Sequence, residues 1–175
     1  LDTLLAHDMS HVIGIPGNGT ARLFALAADH PDVEVLTVTR EGEAFAVASG
    51  LWLGGKEPVV VIQNTGLLES GDSLRGTAFR MGAPLLLLVG VRGHAKMTSN
   101  DRRIGADRAA GRAVQTMKRE EIDSVALLTE PTLRAWEISY TSYRTDADVD
   151  RIAGAWELAR LAGHPAAVLL PFTLQ

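Results

Sequence analysis

Short apolar runs alternate with stretches of helical spacing along most of this chain. Val12-Ile13-Gly14-Ile15, Val33 to Val38, Pro58 to Ile62 and Pro84 to Val89 read as strands, the last the most continuously apolar. Runs apolar on both faces suit a parallel sheet covered from both sides. Between them, Leu1 to Met9 reads as a short helix, and Ala21 to Ala28 as a second. Ala44, Phe45, Ala48, Leu51 and Trp52 recur at helical spacing, and Asp72 to Met81 predicts a further helix. The alternation stops at Arg92. From there to Arg112 the chain is polar and aperiodic, a length that in compact domains marks functional or disordered loops. A helix follows around Arg112 to Ser124, then a short helix opening at Pro131 and a strand within Glu137 to Tyr143. Asp146 to Ala162 is an amphipathic helix, and Ala166 to Leu170 a last strand. The order predicts an α/β fold: a three-layer sandwich around a mainly parallel sheet of about six strands, with right-handed crossovers.

At 175 residues the chain suits one domain with a genuine core. A net charge of −4 argues against nucleic acid or an anionic membrane as the main partner. No apolar run approaches the roughly 20 residues that span a bilayer. No charged-then-apolar leader is seen, although the chain begins at Leu1. Cysteine is absent, which removes disulfides, thiolate metal sites and cysteine nucleophiles and fits a cytoplasmic location.

Candidate chemistry gathers at strand ends. Gly14-Ile15-Pro16-Gly17-Asn18-Gly19-Thr20 is glycine-rich, yet lacks the lysine of a P-loop and the third glycine of a dinucleotide fingerprint. It reads as a tight turn with Asn18 at its tip. His7 and His11 are four apart, but His11 sits where the first strand begins, so no metal site is expected there. Ser70 and Ser73 lack a nucleophile-elbow context. Glu41 opens a helix directly after a strand, at the carboxyl end of the sheet where open α/β folds place ligands. Glu41 and Glu43 could each merely complement the helix dipole. The Gln63-Asn64-Thr65-Gly66 turn follows the third strand at the same end, which sharpens interest in Glu41.

Arg40-Glu41-Gly42-Glu43-Ala44-Phe45-Ala46-Val47-Ala48-Ser49-Gly50 resembles the glutamate-bearing helix of the pyrimidine-binding domain in thiamine diphosphate enzymes, patterned His/Asn-Glu-x-x-Ala-x-x-x-Ala-x-Gly, with Arg40 here at the first position. Pro16-Gly17-Asn18 is similar to the Pro-Gly turn after that domain's first strand. Val61-Ile62-Gln63-Asn64-Thr65-Gly66-Leu67 and Gly82-Ala83-Pro84-Leu85-Leu86 resemble segments of the phosphonopyruvate and sulfopyruvate decarboxylases. The resemblance extends over about Val12 to Gly93. It points in particular to sulfopyruvate decarboxylase α subunits, chains that carry only the pyrimidine-binding domain.

The resemblance implies a single pyrimidine-binding domain over 1–175, active as part of a split 2-oxo acid decarboxylase with thiamine diphosphate and Mg2+. Glu41 would be catalytic, exchanging a proton with the cofactor's aminopyrimidine. Gly17, Asn18, Asn64, Thr65 and Gly66 would help bind the cofactor, and Asn18, Asn64, Arg92 and His94 would meet a small 2-oxo acid. No metal ligand is expected in this chain. Gly71-Asp72-Ser73 and Asn100-Asp101 only imitate the family's diphosphate and magnesium motif. A diphosphate-binding β subunit is therefore expected on a separate chain, in a hetero-oligomer such as α2β2 or larger. Some of Phe45, Leu51, Trp52, Leu67, Leu68 and Leu74 are expected to be buried only in that complex. Two alternatives stand: a thiamine diphosphate-dependent carboligase subunit of secondary metabolism, and a non-catalytic α/β nucleotide-binding or interaction module.

Overall fold

In the computed structural model, which describes residues 1–93, 111 and 113–170, the apolar runs form one six-stranded sheet. Its strands are β1 (His11–Gly14), β2 (Glu34–Thr37), β3 (Pro58–Gln63), β4 (Leu86–Gly90), β5 (Ser139–Ser142) and β6 (Ala166–Leu170). They lie in the order β2-β1-β3-β4-β6-β5, and every neighbouring pair is parallel. β4 and β6, which stand inside the sheet, are buried along their whole length. The edge strands β2 and β5 are only partly covered. The six-stranded parallel sandwich expected from the apolar pattern is the fold observed.

Strand alternation sorts the core into two clusters. Val60, Ile62, Leu87 and Val89 point into one, while Val59, Val61, Leu86 and Leu88 point into the other. The first is covered by α3 (Glu41–Leu53), α4 (Asn64–Glu69), α5 (Gly71–Ser73), the π-helical segment Leu74–Phe79 and, beyond α6 (Ala113–Met117), by α7 (Ser124–Ala135). The second is covered by α1 (Asp2–Leu5), α2 (Ala21–Ala28) and α8 (Asp150–Ala162). α2 and α3 therefore leave the sheet on opposite faces. Their strands diverge at β1, which β2 flanks on one side and β3 on the other. Such a switch point opens a crevice at the carboxyl ends of β1 and β3.

Local structure departs from the sequence pattern in several places. The Gln63–Gly66 turn is the end of β3 running straight into α4. The helix over Asp72–Met81 is largely a π-helix, whose wider turn buries Leu74 and Ala78 together. The helix expected over Arg112–Ser124 is, among the described residues, only α6. The next helix starts at Ser124, where the Asp123 carboxylate accepts hydrogen bonds from the Val125 and Ala126 amides at 3.0 and 3.1 Å. Pro131 lies inside that helix instead of opening it. Its ring removes one hydrogen bond, but burial of Leu127 and Leu133 on either side holds the helix together. Of the polar Arg92–Arg112 stretch, residues 94–110 and 112 lie outside the described residues.

Candidate functional site

β1 reaches the crevice only because its last residue is glycine. Gly14 has φ +152°, and a Cβ there would fall 1.9 Å from the Val61 carbonyl oxygen of β3. Three residues on, a Cβ on Gly17 would meet the Gln63 side-chain amide at 2.3 Å, so the turn lies directly against the end of β3. The Gly17 amide donates to Thr20 Oγ1 at 3.2 Å, and the fully buried Thr20 starts α2. Asn18 stands exposed at the tip.

The two glutamates of α3 have different environments. Glu43 folds back over the helix start. Its carboxylate accepts hydrogen bonds from the Thr39 amide at 3.0 Å, the Thr39 hydroxyl at 3.0 Å and the Arg40 amide at 3.3 Å. The Thr39 amide above all holds the Glu43 carboxyl below its usual range. Glu43 is thus engaged as the second half of a capping box. Glu41 is half-buried, and its carboxylate has no hydrogen bond or ion pair from the described residues. It leans on α4. A Cβ added to Gly66 would lie 2.2 Å from Glu41 Cγ and 2.5 Å from its Oε1. Only glycine leaves room for that carboxylate.

α4 is tied to α3 at its far end as well. Arg40, the residue before Glu41, forms an ion pair with Glu69. Ser73 Oγ would lie 2.9 Å from a Cβ on Gly42, so these helix ends approach without intervening side chains. Arg40 is therefore already paired within the chain.

Of the residues expected at the site, Glu41, Gly17, Asn18, Thr65 and Gly66 lie at the carboxyl edge around this crevice, with Thr65 exposed and Gly66 buried. Asn64 shares the location but not the expected direction. Its side chain is fully buried and turned away from solvent. Its Nδ2 donates to the Arg92 carbonyl at 3.3 Å and to Thr129 Oγ1 at 3.1 Å, while its Oδ1 accepts from the Arg92 amide at 3.3 Å. Arg92, expected as a free cation, lies 3.6 Å from the carboxylate of Asp123, the cap of α7. His94 lies outside the described residues. Nothing in the chain's spacing marks Thr129 or Asp123 as partners, because the helix and cap that carry them start more than thirty residues after Arg92.

Of the residues expected at an interface, Leu51, Trp52 and Leu68 are half-exposed. Phe45, Leu67 and Leu74 are wholly buried in the chain's own core, and Leu51 and Trp52 pack partly against it. The apolar residues left outside on α3 are instead Val47 and Leu53, the latter 72% exposed, beside exposed Ala46 and an unobstructed Gly50.

A family model described as thiamine pyrophosphate enzyme, N-terminal TPP binding domain, matches residues 1–127. The chain belongs to this family. It is 26% identical over 168 residues to the sulfopyruvate decarboxylase subunit alpha of Methanococcus maripaludis, covering 95% of this chain and 89% of that subunit. It is 35% identical over 82 residues to the phosphonopyruvate decarboxylase of Streptomyces viridochromogenes, covering 47% of this chain but only 21% of that protein. Among solved structures, benzoylformate decarboxylase from Polynucleobacter necessarius superposes with a TM-score of 0.63 at 19% identity, over 99% of this chain and 30% of that one. The thiamine diphosphate-dependent 4-hydroxybenzoylformate decarboxylase of Rhodococcus jostii RHA1 does so at 0.60 and 22%, over 97% of this chain and 28% of its own. These two likenesses establish the fold. Among the described residues, no helix is long and apolar enough to cross a membrane.

Proposed function

We propose that this chain is the pyrimidine-binding half of a thiamine diphosphate-dependent 2-oxo acid decarboxylase, with the sulfopyruvate and phosphonopyruvate enzymes as a guide to substrate. The observation that carries the reading is Glu41: a half-buried carboxylate with no partner among the described residues, held against a glycine at the switch point of a thiamine enzyme domain.

The residues present suit the pyrimidine end of the cofactor. Glu41 offers an unengaged carboxylate to hold or release a proton at a ring nitrogen, and Gly66 and Gly17 leave the room that the Glu41 and Gln63 side chains occupy at the crevice. Bound thiamine diphosphate would supply the carbon nucleophile and the electron sink for loss of carbon dioxide. Asn18, exposed on the neighbouring turn, is placed to hydrogen-bond a substrate carboxylate. Glu43 is committed to capping and holds Glu41 in place by fixing the start of α3.

The diphosphate and Mg2+ would be held by a second chain. Support comes from coverage of 89% of a relative that is itself named a subunit. The outer face of α3 supports it too. Exposed apolar residues on a helix are often covered by a partner, and Val47 and Leu53 stand exposed on the helix that Glu41 opens, a surface that a partner chain would close. Reconstitution tests the whole reading. The chain, a diphosphate-binding partner, Mg2+ and cofactor should together release carbon dioxide from a 2-oxo acid, and Glu41→Gln should abolish turnover while the complex still assembles. Full turnover by the Glu41→Gln complex would refute it. An acyl product joined to an acceptor aldehyde, in place of a free aldehyde, would identify a carboligase.

A further inference from the structure

We infer that Asn64 is a positioning residue for Glu41, acting through α4 and not by touching substrate or cofactor; this rests on the proposed role of Glu41. The amide of Asn64 is engaged at both ends inside the chain. Both Nδ2 hydrogens are used, on the Arg92 carbonyl and on Thr129 Oγ1, and Oδ1 accepts the Arg92 amide. At zero exposure it has no face left for a ligand. What these bonds do is mechanical. Asn64 is the first residue of α4, and its side chain grips both backbone groups of Arg92, two residues beyond β4, as a neighbouring strand would. Thr129, which donates onward to the Val125 carbonyl at 2.7 Å, adds α7 to the same joint.

The joint stands two residues before Gly66, whose Cα forms the wall on which the Glu41 carboxylate rests. α4 has only six residues, so a shift at Asn64 moves Gly66 with it. Its other anchor, the Arg40–Glu69 pair, is exposed on both sides, and such pairs hold geometry weakly in water. The buried amide is therefore the stronger of the two fixings. Glu41 thus owes its position to contacts made with the segment after β4 and with α7, both distant in sequence from the helix that carries it.

The test reads Glu41 itself. The side-chain carboxyl 13C resonance of Glu41 is followed by NMR in the full chain, and kcat and KM are measured in the reconstituted enzyme. Asn64→Ala should displace that resonance and lower kcat by about 10²-fold, the loss that follows a misplacement near 1 Å, with KM within about threefold. Thr129→Val keeps side-chain volume, removes one of the three bonds, and should move the resonance in the same direction by less. If Asn64→Ala does not fold, Thr129→Val decides alone. An unmoved Glu41 resonance in the folded variants overturns the inference, and a kcat loss alongside it would mean that Asn64 meets the substrate directly. Should Glu41→Gln leave turnover intact, the proposed function falls, while the resonance still reports whether Asn64 positions the carboxylate.

Discussion

Gly66→Ala separates stability from activity at this site. Gly66 lies within α4 and outside the left-handed region, so alanine fits its backbone. Glycine inside a helix costs roughly 0.5–1 kcal/mol relative to alanine, and the substitution recovers that amount. Against it stands the new methyl, 2.2 Å from Glu41 Cγ and 2.4 Å from its Cδ. Carbon atoms rest about 3.5–4.0 Å apart, so the carboxylate must retreat by more than about 1 Å. Glu41 is the flexible end of a half-buried side chain, and an off-rotamer retreat costs about 0.5–1.5 kcal/mol. The two effects cancel to within about 1 kcal/mol, a change in Tm of no more than roughly 4 °C for a chain of this size. Turnover has no such compensation: a misplaced catalytic group loses about 10²-fold, near 2.7 kcal/mol in the barrier. Thermal unfolding of the chain and kcat of the reconstituted enzyme measure the two quantities. Turnover within about threefold of wild type would refute the reasoning, since Glu41 would then not depend on that wall. A fall in Tm beyond roughly 8 °C would show that the wall is rigid and the side chain cannot yield.

Glu43→Gln should leave turnover within about tenfold, far less than the loss from Glu41→Gln, which removes an acid–base group worth about 10²–10⁴-fold. Because hydrogen bonds from Thr39 and Arg40 hold Glu43 below the usual carboxylate range, its contribution to stability is present above that range and is lost as pH falls through its lowered folded-state value. Denaturation of the chain between pH 7 and pH 3 should show this acid-side loss, flattened in Glu43→Gln. Gly93→Ala should destabilise by about 1–3 kcal/mol in chemical denaturation, because Gly93 has φ +77° and its new Cβ would lie 2.4 Å from Asp123 Cγ. Arg92→Ala should raise KM for a dianionic 2-oxo acid more than for pyruvate if the guanidinium reads the second anion. Equal effects on both would confine Arg92 to its pairing with Asp123.

What the sequence determined by itself was the periodic part of the molecule. β3 and β4 are apolar at every position along runs such as Val59–Ile62 and Leu86–Val89, and only a strand covered on both faces satisfies such a run, so the parallel sandwich was legible without coordinates. Glu41 was legible for a similar reason. Its place at a strand-to-helix junction is a matter of local order, and the alanines and glycines after it carry a recognisable pattern. Glu41 and Glu43 looked equivalent as helix-start carboxylates, and only the fold turned one back onto the Thr39 and Arg40 amides and left the other against Gly66. The direction of Asn64 was equally hidden, since a side-chain amide bonds whatever the fold brings near, and here that was Arg92 and Thr129. Pro131 marked a helix start by local preference and was overruled by burial of Leu127 and Leu133 on either side of it in the helix. Local patterns persist because backbone geometry enforces them within a few residues. The roles of Asn64, Arg92 and the outer face of α3 depend on contacts closed across tens of residues, and those exist only once the sheet has assembled.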